Sequence, residues 1–155
     1  MSVTKTSSNR VSEHTNPVFN EKIRKLTDQS IEYHSMHPEL IEQRLRELEE
    51  EWDIERAIEA NASTLMIIGL VSGLAFHRKC LALSCLVAGF LFQHAAQGWC
   101  PPVPVLRRLG FRTKEEILRE RYALRILRGD FNNIGEVEKA PLEEKVQHII
   151  NAVNE

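Results

Sequence analysis

The sequence predicts an all-α protein: a two-helix transmembrane hairpin with amphipathic helical arms on the same side. Three observations carry that reading. Residues 60–106 contain no Asp or Glu. Inside this stretch, 60–76 and 80–106 carry no formal charge and are separated only by His77-Arg78-Lys79. Apolar residues surround both runs instead of forming one stripe, which suits burial on all sides. A spanning helix needs roughly 20 mostly apolar residues, with a range of about 17–25. The first run is at the short end of that range and is diluted by Asn61, Ser63 and Thr64. The second is strongly apolar to Phe92 and then passes through Gln93, His94 and Gln97, a polar interfacial cluster. The predicted helices cover about 60–77 and 80–98. Trp99 follows, as an interfacial aromatic would. The competing arrangement is a pair of core helices in a soluble bundle.

Lys and Arg placement sets the expected orientation. Arg44, Arg46 and Arg56 precede the hairpin, and Arg107, Arg108, Arg112, Lys114 and Arg119 follow it. Both termini are therefore expected in the cytoplasm, with the His77–Lys79 knot across the membrane. That knot opposes the rule, because it puts two positive charges on the translocated side. A formal charge of -2 and three cysteines in 155 residues match neither a nucleic-acid binder nor a disulfide-built module. Residues 1–30 have no apolar core of the kind a cleaved signal needs, so the hairpin itself must direct insertion.

The arms follow in order. Residues 1–20 are rich in Ser, Thr and Asn and are expected to be disordered. A weak helix is expected over 21–37, with Ile23, Leu26, Ser30 and Tyr33 as its stripe. Pro38 suits the first turn of an acidic amphipathic helix over 38–59. Its face is Ile41, Leu45, Leu48 and Trp52. With no Gly or Pro between residues 38 and 69, that helix is expected to run unbroken into the first apolar segment. Residues 39–59 hold nine acids against three arginines, and 107–131 hold eight bases against four acids, so the two arms are expected to dock. Thr113 and Glu116 form a capping box that opens a basic helix over 113–129, and Gly129 closes it. Ile117, Leu118, Tyr122, Leu124 and Leu127 supply its apolar face. A final amphipathic helix over 141–153 either folds back or serves a cytoplasmic protein partner.

Within the hairpin, Gly69-x-x-x-Gly73 permits close helix approach, with Ser84 and Ala88 on the second segment as the answering small residues. The primary use is packing inside the hairpin, and a homodimer is the alternative. Cys100 is the candidate reactive thiol, because basic neighbours favour a thiolate; a small packed side chain explains it equally simply. Trp99, Arg107 and Arg108 are candidate lipid or topology anchors. No Cys or His set has metal spacing, and no phosphate loop or nucleophilic triad is visible, so no metal, cofactor or catalytic residue is assigned.

The Gly98-Trp99-Cys100-Pro101 motif, followed by Leu106-Arg107-Arg108-Leu109-Gly110-Phe111, resembles the YgaP-like transmembrane domain family. The likeness covers about 51–111. It implies a small bacterial inner-membrane hairpin of uncharacterised function, with Cys100 at the family cysteine. Some members of that family carry a rhodanese, a sulfur-transfer domain, which this chain lacks, so sulfur-transfer catalysis does not carry over. The expected role is non-enzymatic: an inner-membrane protein, able to dimerise, whose partners are the lipid bilayer and a cytoplasmic protein. The alternatives are a sulfane-sulfur relay at Cys100 and a soluble helical adaptor.

Overall fold

The structure, a computed structural model, describes residues 11–131, and among these there are helices, turns and short irregular links but no strand. The elements are α1 (Pro17–Met36), α2 (Ile41–Glu50), α3 (Ile54–Ala75), α4 (Leu81–Gln97), α5 (Pro102–Leu109) and α6 (Lys114–Arg128). Single 3₁₀ turns, Pro38–Leu40 and Arg78–Cys80, precede α2 and α4. The predicted 141–153 helix and the first ten residues lie outside the described range. The chain divides into two compact units. Among the described residues, one comprises 11–26 and 51–117, the other 27–50 and 118–131.

The first unit holds the apolar core. Val11, Ile54, Ala57, Ile58, Cys100, Val103 and Leu106 are buried together, with Leu91 and Phe111 packed against them. Val11 is only 1% exposed, and α1 already begins at Pro17. The expected disorder over 1–20 therefore fails for residues 11–20. A single valine buried in this core, plus the Thr15 hydroxyl bonded to the Val11 carbonyl at 2.7 Å, orders a segment whose composition is polar.

The unbroken helix expected through residue 54 is also corrected. Residues 51–53 are not helical, and Asp53 starts a new helix. Its carboxylate accepts the Arg56 N–H at 2.7 Å, and the Ile54 N–H donates to the Arg112 carbonyl at 2.8 Å. An N-cap aspartate and a distant carbonyl together satisfy the donors that a helix start leaves unpaired. Trp52 consequently leaves the predicted stripe. It is 47% exposed and lies under the Arg56 guanidinium, 4.4 Å from its ring centre. Ile41, Leu45 and Leu48 are buried as the periodicity requires.

The prolines after Cys100 do not merely turn the chain; they open α5, with Pro at its first positions. A fixed φ and a missing N–H cost nothing there. Gly98 makes the entry possible by ending α4 at φ 74°, where its N–H donates to the His94 carbonyl at 2.7 Å.

In the second unit the buried face of α1 is shifted from the expected one. Thr27 and His34 are buried, whereas Leu26 and Tyr33 are about half exposed. Polar groups turn inward because Glu120 is there, fully buried, taking the Ser30 hydroxyl at 2.6 Å and Arg44 Nε at 2.9 Å. On α6, Ile117 and Leu124 are buried, but Tyr122 and Leu127 are exposed, and Glu120 and Arg125 occupy the inner face instead. The expected meeting of acidic and basic arms is present as long-range ion pairs. Arg121 reaches Glu49 at 2.8 Å and Arg128 reaches Glu42 at 2.5 Å. The most buried pair between the two arms, Arg44–Glu120, runs the other way, with the base on the acidic helix.

Candidate functional site

Two helical stretches are long and apolar enough to cross a membrane, and only 22% and 11% of their apolar windows are buried within the structure. Core helices of a water-soluble protein pass the same length and composition test but are mostly buried. Leu65, Ile67, Ile68, Leu70, Val71 and Leu74 on α3 face outward, as do Leu83, Leu86, Phe90 and Phe92 on α4. The two helices also touch. The Ser84 hydroxyl donates to the Met66 carbonyl at 2.9 Å. A Cβ on Gly69 would meet Ser84 Oγ at 2.5 Å, and one on Gly73 would meet Leu81 Cδ2 at 2.5 Å. The small-residue face of α3 is thus filled by α4 of the same chain. Ala88 is half-buried, and Gly89 meets nothing within 4 Å.

Residues of α3, α4 and the 100–102 segment line a half-open apolar cavity of about 250 Å³, among them Asn61, Leu65, Phe90, Leu91 and Cys100. Cys100 is 2% exposed. Burial pushes its thiol up from the ordinary value, and the Val103 N–H offsets this only in part. A raised, enclosed thiol is a poor nucleophile at neutral pH. Arg107, one of the basic neighbours expected to activate it, is engaged elsewhere.

Arg107 shows this most clearly. Its side chain is fully buried and makes a two-armed contact with Glu116, at 2.6 and 2.8 Å. Its remaining bonds go to Asn20 Oδ1 at 2.7 Å and the Phe111 carbonyl at 3.1 Å. Arg107 therefore cannot reach a lipid headgroup, whereas Arg108 beside it is exposed and Trp99 is half-buried. Burial alone would raise the Glu116 carboxyl, but bonds from Arg107 and Thr113 reverse this and hold it below its ordinary value. The capping box is present: Thr113 N–H donates to Glu116 Oε2 at 2.8 Å, and Glu116 N–H to Thr113 Oγ1 at 3.3 Å. Arg112 is nearly buried too, with Nε 2.7 Å from Glu51 and a second short bond to the same carboxylate.

A second cavity, about 390 Å³, is lined by Val11, Glu55, Glu59, Leu91, His94, Ala95 and Gly98. Burial, followed by the negative charge of Asp53, raises the Glu55 carboxyl. Among the described residues no group of three His, Cys, Asp or Glu is placed to hold a metal ion. Sequence reasoning named His94 as interfacial but missed Glu55 and Val11, because only the fold brings residue 11 over α3 and α4.

Comparison with family models, curated proteins and solved structures finds no match to this chain.

Proposed function

We propose that this chain is a small integral membrane protein of the bacterial inner membrane, in which α3 and α4 form a transmembrane hairpin and the charged helices before and after it serve a non-enzymatic, scaffolding role on the cytoplasmic face. One observation carries the reading: α4 and the charge-free part of α3, residues 60–75, hold each other through Gly69, Gly73 and Ser84 while turning their large apolar side chains outward. Leaving each Leu, Ile or Phe in water forgoes about 1.5–3 kcal/mol. A row of them left in water would offset the whole net stability of an ordinary domain, about 5–15 kcal/mol. Lipid removes that penalty. Contiguous apolar surface of this extent marks a membrane or partner interface.

The excess of Lys and Arg around the two open ends of the hairpin supports cytoplasmic termini. The 98–111 resemblance supports the same placement. A sulfur relay at Cys100 gains nothing from a thiol this enclosed. A homodimer would have to use a face other than the Gly69–Gly73 one. The test is single-cysteine accessibility in whole cells, in a variant whose native cysteines are replaced. His77→Cys should react with a membrane-impermeant maleimide from outside intact cells, and Glu115→Cys only after permeabilisation. Labelling of both from the same side overturns the topology.

A further inference from the structure

The turn between α3 and α4 is built to present charge. Phe76 and His77 N–H groups both donate to the Ser72 carbonyl, at 2.9 and 3.1 Å, and the Cys80 N–H donates to the His77 carbonyl at 2.9 Å. The His77 ring nitrogen accepts the Lys79 N–H at 3.2 Å, fixing the 3₁₀ turn from inside. Arg78 and Lys79 project from this turn, exposed and with no acidic partner among the described residues. In contrast, Arg44, Arg46, Arg107, Arg112, Arg119, Arg121 and Arg128 are each paired with a carboxylate. Phe76, 86% exposed, and Leu74, 84% exposed, sit immediately beside the two bare cations. An apolar collar with a cationic rim matches the boundary between acyl chains and phosphates.

Helix length sharpens this. The charge-free part of α3, residues 60–75, rises about 24 Å at about 1.5 Å per residue. The 17 residues of α4 rise about 26 Å on the same geometry. A bilayer's hydrocarbon core is about 30 Å thick. Anchored at Glu59 on one side, the hairpin falls roughly 5 Å short, so its tip is drawn toward the far phosphates through local thinning and extended basic side chains.

Resting on the hairpin reading, we infer that the Phe76–Lys79 tip is a lipid-binding surface: Arg78 and Lys79 engage the phosphates of anionic lipids in the far leaflet, and the short hairpin selects thin bilayers. Each basic residue close to an anionic surface contributes about five-fold to affinity, so the pair contributes roughly 30-fold.

The full chain is exchanged from detergent into phosphatidylcholine vesicles with 14-, 18- or 22-carbon monounsaturated chains, with and without 30% phosphatidylglycerol (amounts of order set by the surface potential required). The fraction resisting an alkaline wash is measured. The wild type should incorporate best into the thinnest bilayer, and phosphatidylglycerol should raise incorporation about ten-fold or more. Arg78→Ser/Lys79→Ser should lose most of that gain while keeping the preference for thin bilayers. Lys22→Ser, a control at an exposed basic residue of α1 with no assigned lipid role, should retain it. An unchanged phosphatidylglycerol effect in the double variant, or indifference to chain length, overturns the inference while alkaline-resistant wild type leaves the hairpin standing. Release of the wild type from every vesicle overturns both.

Discussion

Gly69 should be intolerant of even a methyl group, and Gly89, twenty residues on, should not be. A Cβ on Gly69 would lie 2.5 Å from Ser84 Oγ, 3.1 Å from Ser84 N and 3.2 Å from the Cys80 carbonyl oxygen. Two of those three atoms are backbone, so α3 and α4 must separate. Overpacking of this kind costs about 1–3 kcal/mol. Displacing the Ser84 hydroxyl from the Met66 carbonyl adds about 0.6 kcal/mol, the average for an interhelical bond in lipid. Replacing glycine by alanine inside a helix returns up to about 1 kcal/mol. Gly69→Ala should thus lose about 0.6–2.6 kcal/mol net when the full helix gain is returned. Gly89→Ala, with open space around it, should keep the helix gain. Reversible unfolding in mixed micelles, followed by circular dichroism while the denaturing detergent fraction is raised, measures both. Ser84→Ala should partly rescue Gly69→Ala, since it removes the nearest atom and leaves the two backbone contacts. Equal stability of the two alanine variants, or no rescue, would refute the packing account.

Four further outcomes follow from the buried charges. Arg107→Ala should cost about 3–5 kcal/mol by stranding Glu116, and Arg107→Lys should recover little, because a point charge cannot replace a two-armed contact; the same unfolding titration reads it. Glu120→Ala should destabilise by a similar amount, leaving Arg44 and Ser30 without their shared acceptor. Acid should loosen the protein in a defined window. Glu116 is held below its ordinary value, and Asp130 is held at about 2 by Arg128 and then Arg125 against the cost of burial. Their folded values are depressed, so their stabilisation is complete above the unfolded carboxylate values and is lost as pH falls from about 4.5 toward 2. Midpoints measured at pH 7, 4 and 2.5 should fall in that order. Cys100 should alkylate at least ten-fold more slowly in the folded protein than in the unfolded chain at pH 7.5, as mass spectrometry after iodoacetamide would show.

Local chemistry was legible in the sequence, whereas long-range chemistry was not. The Thr113–Glu116 box needs only its own four residues and formed as the spacing required. The two apolar helices followed from charge-free composition, and the Gly69–Gly73 contact with Ser84 followed from residue size. The break before Ile54 had a visible signal, an aspartate in N-cap position, but the helix register across it looked continuous, and the carbonyl that completes the cap belongs to Arg112. The inner face of α1 could not be read from periodicity. Ser30 is turned inward by Glu120, ninety positions away, and such a partner overrides the preference of Leu26 and Tyr33 for the core. Arg107 looked like a surface anchor because arginine usually is one; the carboxylate that draws it inward sits one capping box later in the chain.

The central claim is that α3 and α4 are integral to a lipid bilayer. The most direct measurement is to express the full chain in a bacterium, isolate membranes, wash them with carbonate at about pH 11 and assay pellet and supernatant for the protein. Retention in the pellet through the wash, with release only by detergent, is the result the account predicts. Release into the supernatant would contradict it and would require the outward apolar faces of α3 and α4 to be covered by protein instead.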